Sequence, residues 1–179
     1  LGEIIFLTGF MGSGKSTVAR IYSQKMKMRH IDTDLWIQKK AGLSISEIFE
    51  KEGESSFRAY ESEALKEIGN EKGDFVVSLG GGALLDAGNL EYVLSRGSLV
   101  YLEASEKSLA ERLKKGLRKR PLLAEYEAGG GKDPQALEKK ISEILSVRRE
   151  IYEKAPFRIL TDGMEPEQVA EELGRILSR

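Results

Sequence analysis

The chain has 179 residues, 40% apolar and 32% charged, with 28 lysines and arginines against 29 aspartates and glutamates and a formal net charge of −1. That length suits one domain of roughly 100 to 200 residues; the apolar share can fill one core while the charged share keeps the surface wet, which excludes disordered, collagenous and fibrous classes, and the near balance of charge gives no overall positive field for nucleic acid or an anionic membrane. The absence of cysteine excludes disulfides, thiolate metal sites and a cysteine nucleophile, and no run approaches the about 18 apolar residues of a membrane span.

In chain order, Glu3 to Thr8 (EIIFLT) is a short apolar run closed by Gly9, which predicts a buried first strand. The glycine-rich stretch from Gly9 to Ser16 leads into a helix expected over Thr17 to Met28, where Val18, Ile21, Tyr22, Lys25 and Met26 keep rough helical spacing. A brief second strand is expected to end at Ile31 and Asp32. Asp34 to Ala41, Ser46 to Lys51 and Glu54 to Asn70 read as helices separated by Gly42 and Gly53. Phe75 to Leu79 (FVVSL), Ser98 to Leu102 (SLVYL) and Phe157 to Leu160 are further strand-length apolar runs, each followed by a stretch of helical composition, and the first is stopped by three glycines. Strands alternating with helices predict an α/β chain with a mostly parallel sheet covered on both faces. The least regular segment, Lys114 to Asp133, carries too many glycines and charges for a core element, and long segments of that kind are usually functional or disordered.

The sharpest chemical signal is Gly9-Phe10-Met11-Gly12-Ser13-Gly14-Lys15-Ser16, which satisfies the phosphate-loop pattern G-x-x-x-x-G-K-[ST] between a predicted strand and a predicted helix. The glycines let backbone N–H groups turn inward around an anion, the helix adds its positive end, Lys15 supplies a mobile ammonium, and Ser16 offers a hydroxyl for Mg²⁺. Asp32-Thr33-Asp34 follows at the carboxyl end of the second strand, where open α/β sheets place their ligands. Two carboxylates there can divide labour, one toward the metal beside Ser16 and one toward the hydroxyl to be phosphorylated; the alternative is that Asp34 caps the helix that follows. Gly80-Gly81-Gly82 ends another strand at the same edge, where it permits close backbone approach to a small substrate or forms a plain flexible turn.

Taken together, GFMGSGKS at 9 to 16, DTD at 32 to 34, Phe57-Arg58-Ala59-Tyr60-Glu61 (FRxxE), GGG at 80 to 82, Arg120-Pro121-Leu122-Leu123 (RPLL) and the RxxxY segment Arg148 to Tyr152 resemble the shikimate kinases, within the nucleoside-monophosphate-kinase-like group of phosphate-loop folds. The likeness is collinear over nearly the whole chain. It implies a single α/β/α kinase domain over residues 1–179 with a five-stranded parallel sheet in the order 2-3-1-4-5, a substrate-binding segment at about 33–70 and a mobile lid at about 116–134.

The resemblance further implies transfer of the ATP γ-phosphoryl to the 3-hydroxyl of shikimate, in the route to chorismate and the aromatic amino acids. Gly12, Ser13, Gly14, Lys15, Ser16 and Thr17 would cradle the phosphates, and Ser16 would bind Mg²⁺ with Asp32 in its shell. Asp34 would hold the reacting hydroxyl, as a base or only as an orienting group. Arg58 and Arg148 would take the shikimate carboxylate, Gly80, Gly81 and Gly82 would meet the ring, and Arg120 on the lid would swing over the phosphates. Phe49 and Phe57 would wall the pocket, and Glu61 would support Arg58. On the adenine side the family uses an arginine shortly before the lid, for which Arg112 is the nearest candidate, with the loop Thr161 to Pro166 passing close by.

Some positions depart from the family. Relatives carry RxPxY where this chain has Arg148-Arg149-Glu150-Ile151-Tyr152, so two adjacent arginines compete; spacing to Tyr152 favours Arg148, leaving Arg149 as an exposed helix charge. His30 is expected to be a packed strand-end residue, Trp36 and Tyr60 packing aromatics, and the basic run Lys114 to Arg120 lid charge facing polyphosphate. No nucleic-acid or membrane partner is expected, a monomer is, and the location is expected to be cytoplasmic. Any targeting segment upstream of Leu1 is left open. The other readings are a different small-molecule kinase of the same group, such as a gluconate kinase, or a nucleotide-binding regulatory module without catalysis.

Overall fold

The computed structural model describes residues 2–114, 123 and 133–178. Strand β1 (Ile4–Thr8) is buried at all five positions, four apolar residues and Thr8, as befits a parallel sheet covered on both faces. Helix α1 (Lys15–Met26) returns to β2 (Arg29–Asp32), after which α2 (Thr33–Ala41), α3 (Ile45–Lys51) and α4 (Gly53–Asn70) follow one another before β3 (Phe75–Ser78). A 3₁₀ turn at Ala83–Leu85 and α5 (Ala87–Arg96) lead to β4 (Ser98–Glu103), then α6 (Glu106–Lys114), α7 (Pro134–Tyr152), β5 (Phe157–Leu160) and α8 (Pro166–Leu177).

All strand pairs are parallel, and the sheet order is β2-β3-β1-β4-β5, the order the resemblance implies. Alternation along the central strands sends Phe6, Phe75, Val77 and Leu99 to one face, against apolar residues of α2 to α5, among them Ile37, Leu65 and Val93. Ile5, Leu7, Val76 and Val100 go to the other, against Val18 and Tyr22 of α1 and Leu173 of α8. A third cluster joins Phe10, Tyr101, Leu109, Leu123, Ile141 and Tyr152, and so packs α6 and α7 against the sheet's β4 side. Two helical layers therefore enclose the sheet. Trp36 and Tyr60 pack against the first cluster, as expected.

The first helix differs from its sequence expectation by two residues at each end. It begins at Lys15 because the loop turns directly into the helix from Gly14, at φ 96, and it stops at Met26 because Lys27 takes the left-handed conformation at φ 56. Apolar spacing marks only the buried part of a helix, and Val18, Ala19 and Tyr22 are that part here. The loop end and the exposed last turn carry no such mark. Because every strand runs the same way, the carboxyl ends of β1, β2 and β3 lie at one edge, with Leu7 and Asp32 both in register with Ser78. The phosphate loop, the DTD segment and the glycine triplet leave the sheet from these three ends, which brings residues 9, 32 and 80 together.

Candidate active site

A cleft of about 880 Å³ runs along that edge. Its floor is the loop between β1 and α1, where Gly9, Gly12 and Gly14 all hold positive φ values of 142, 82 and 96. Lys15 curls back over the loop, its Nζ donating to the carbonyls of Gly9 at 2.8 Å and Phe10 at 2.9 Å. Ser16, in the first turn of α1, donates its hydroxyl to Asp32 Oδ2 at 2.6 Å. Asp32 is also the cap of α2: its Oδ1 accepts the backbone N–H groups of Asp34 at 3.1 Å and Leu35 at 3.2 Å. The capping role open to Asp34 in the sequence thus belongs to Asp32, and the Asp34 side chain lines the cleft.

One end of the cleft is built from side chains far apart in sequence. Asp34 comes from the start of α2, Arg58 and Glu61 from one face of α4, and Arg148 from the last turns of α7. Arg58 donates to Glu61 Oε2 at 2.6 Å and, on its other side, to Glu54 Oε1 at 2.9 Å. Glu61 is only 1% exposed, and burial pushes its carboxyl up to about 7 against the pull of Arg58; the Asp34 charge pushes the same way and Arg148 opposes it. Arg148 is 6% exposed. Its neighbour Arg149 is instead 46% exposed by side chain and ion-paired to Glu106 of α6 at 2.8 Å, so the one-residue ambiguity of the sequence resolves into one arginine in the cleft and one outside it.

The glycine triplet sits where these charges converge. A Cβ on Gly82 would lie 2.5 Å from Arg58 Nη1, and one on Gly80 would lie 2.7 Å from Asp34 Oδ1 and 2.9 Å from Glu61 Oε1. Side chains there would displace the charged groups, so the triplet is a close approach of backbone to site and not simply a flexible turn. Thr33 pins it by accepting the Gly80 N–H at 2.9 Å, and the fully buried Tyr152 donates its hydroxyl to the Gly81 carbonyl. Neither tie is readable in the sequence, where Thr33 is only the middle of DTD and Tyr152 only a spacing mark. Phe49 and Phe57 wall this end with ring centroids 4.8 Å apart.

At the other end, Arg112 of α6 donates to Thr161 Oγ1 at 3.0 Å and to the Thr161 carbonyl at 2.8 Å, and it lines the cleft beside Met164 and Glu165. Arg120 and most of 116–134 lie outside the described residues. His30 is half-buried at β2 with Nε2 3.2 Å from Ser78 Oγ; burial lowers its pKa, Asp32 acts against this, and Arg20 adds to it.

A loop shaped for phosphates facing a pocket with its own buried charges defines a phosphate-loop kinase of small molecules. The sequence model of shikimate kinase matches residues 11–178. A shikimate kinase of Chlorobium luteolum is 40% identical over 177 residues, covering 99% of this chain and 86% of the relative. Among solved structures, a shikimate kinase from Acinetobacter baumannii in complex with shikimate superposes with TM-score 0.85 at 31% identity, covering 99% of this chain and 93% of that one. That from Bacteroides thetaiotaomicron superposes at 0.88 with 30% identity and 99% of both chains covered. The chain belongs to the shikimate kinase family.

Proposed function

We propose that this chain transfers the γ-phosphoryl group of ATP to the 3-hydroxyl of shikimate, releasing ADP and shikimate 3-phosphate, in the route to chorismate and the aromatic amino acids. The observation that carries this reading is the convergence of Asp34, Arg58 and Arg148 on the glycine triplet, facing the phosphate loop across one cleft. Lys15 leaves the carbonyls of Gly9 and Phe10 for the phosphate oxygens, while the N–H groups of residues 12 to 17 hold the anion at the start of α1. Arg112 and the Thr161 to Pro166 loop take the adenine side.

Two guanidiniums suit a carboxylate, since each offers a planar pair of donors. With the carboxylate held by Arg58 and Arg148, and with Gly80 to Gly82 against the ring, the acceptor hydroxyl is aimed at Asp34. Asp34 accepts its hydrogen bond and orients it for in-line attack, and positioning of this kind supplies most of the acceleration in phosphoryl transfer. Ser16 offers its hydroxyl oxygen as a hard ligand for Mg²⁺, which takes few donors from protein and keeps several waters, and Asp32, by accepting the Ser16 proton, backs that ligand from the outer shell. They would hold Mg²⁺, which when bound neutralises phosphate charge.

Residues 33 to 70 serve as the substrate-binding segment, and 116 to 134 as a lid that brings Arg120 over the phosphates and excludes water. A reaction between two free metabolites needs neither nucleic acid nor a membrane and draws on cytoplasmic ATP; one chain holds every group named, so a monomer suffices. ADP release measured with shikimate, with gluconate and with no acceptor tests the reading. Turnover should require shikimate and Mg²⁺, and an equal rate with gluconate or with no acceptor would overturn it.

A further inference from the structure

His30 is the chain's single histidine, two residues before Asp32 on β2, and the phosphoryl-transfer reading gives it no part. Its Nε2 lies 3.2 Å from Ser78 Oγ, and the Ser78 hydroxyl in turn donates to Asp32 Oδ2 at 2.9 Å. The same Oδ2 accepts the hydroxyl of Ser16 at 2.6 Å, and Oδ1 accepts two backbone N–H groups at the head of α2. A carboxylate offers about four acceptor positions, so the donors around Asp32 fill it.

Counting protons fixes the direction of this chain of bonds. Ser16 and Ser78 own one hydroxyl proton each, and both go to Asp32, whose negative charge makes it the stronger acceptor. Ser78 then has only lone pairs for His30, and the contact is a hydrogen bond only if Nε2 carries the proton. With the proton on Nδ1 alone, Ser78 would have to turn its hydroxyl to Nε2, and Asp32 Oδ2 would lose a donor.

We propose that His30 is a positioning residue for the metal site: by giving its Nε2–H to Ser78 it commits the Ser78 proton to Asp32, which holds Asp32 where it takes the Ser16 proton and turns the Ser16 lone pairs toward Mg²⁺. The inference rests on the assignment of Ser16 and Asp32 to Mg²⁺. It predicts a residue whose loss weakens metal-dependent nucleotide binding while leaving the rest of the cleft intact.

Calorimetric ADP affinity with and without Mg²⁺, on the full chain, tests it. In His30→Leu the Mg²⁺-dependent gain in affinity should fall about two- to tenfold, the scale of one neutral hydrogen bond, while metal-free ADP affinity and the shikimate KM stay within about twofold. His30→Gln, which restores an N–H near the Nε2 position, should recover most of the gain. Ser78→Ala should show the same loss, and adding His30→Leu to it should cost nothing further, since the two act through one link. A normal Mg²⁺-dependent gain in His30→Leu, no rescue by Gln, or additive losses in the pair would overturn the proposal. Wild-type protein that gains no ADP affinity from Mg²⁺ would instead overturn the metal assignment, and the role of His30 with it. Should His30→Leu lower the melting temperature, His30→Gln and the Ser78→Ala pair still decide the outcome.

Discussion

The two ends of the cleft are made in different ways. The end proposed for the phosphates is one continuous stretch, residues 9 to 17, made of backbone N–H groups, three glycines at positive φ and the start of α1, with Lys15 and Ser16 as its two proposed side-chain contributors. The proposed acceptor end draws Asp34, Arg58, Glu61 and Arg148 from three helices, two of them near neighbours in the chain and the third, α7, carrying Arg148 about ninety residues beyond Arg58. It depends on buried charges held in mutual balance, as the raised carboxyl of Glu61 records. A backbone site tolerates changes around it provided the loop keeps its shape, whereas a site of converging side chains depends on each support, including Thr33, Tyr152 and the missing side chains at 80 and 82.

The largest break should come at the phosphate end. Lys15→Met removes the ammonium asked to neutralise transferring phosphate, and turnover should fall on the order of a hundred- to a thousandfold with the melting temperature unchanged; near-normal turnover would place the chemistry elsewhere. At the acceptor end, Arg58→Ala and Arg148→Ala should each cost about ten- to a hundredfold in kcat/KM for shikimate, the value of one or more charge-assisted hydrogen bonds. The KM for ATP should move much less. Arg→Lys at either position should also lose activity, because an ammonium lacks the planar pair of donors. Equal effects on both substrates would mean that the two ends are not separable.

Glu61 gives a pH test of the buried balance. Its carboxyl sits at about 7 in the fold against an ordinary 4.5, so between those values the folded chain keeps a proton that the unfolded chain has released. Its contribution to stability is therefore complete below about 4.5 and is lost as pH rises through about 7, by up to about 3 kcal/mol. Denaturant melts at pH 5 and pH 8 should show a smaller difference in Glu61→Gln than in the wild type; an unchanged difference would show that Glu61 is ionised throughout. The smallest effect belongs to Arg149→Ala. It removes an exposed ion pair with Glu106, and shikimate kinetics should change by less than about twofold. A large loss there with none at Arg148 would exchange the two roles.

Much of this protein can be read without its structure, and the reason is locality. Strand runs such as IIFLT and FVVS are apolar up to their last residue because both faces are covered, and the phosphate loop is legible because all its parts are adjacent in the chain. The collinear motifs carry the family and, through it, the sheet order, which periodicity alone does not contain.

Tertiary structure decided what depends on direction and distance. A sequence of two arginines does not say which faces the cleft; helical rotation against α6 turns Arg149 outward and leaves Arg148 buried. DTD does not say which aspartate caps α2, and the chain path at the end of β2 gives that task to Asp32. The glycine triplet reads equally well as a loose turn until Arg58, Asp34 and Glu61 are found within a methyl group's reach of it. His30, Ser78, Asp32 and Ser16 become a single chain of hydrogen bonds only because parallel strands in register set residues 46 and 48 positions apart side by side. Sequence fixes the order of such groups along the chain, and contact between them is a property of the packed sheet and the helices that cover it.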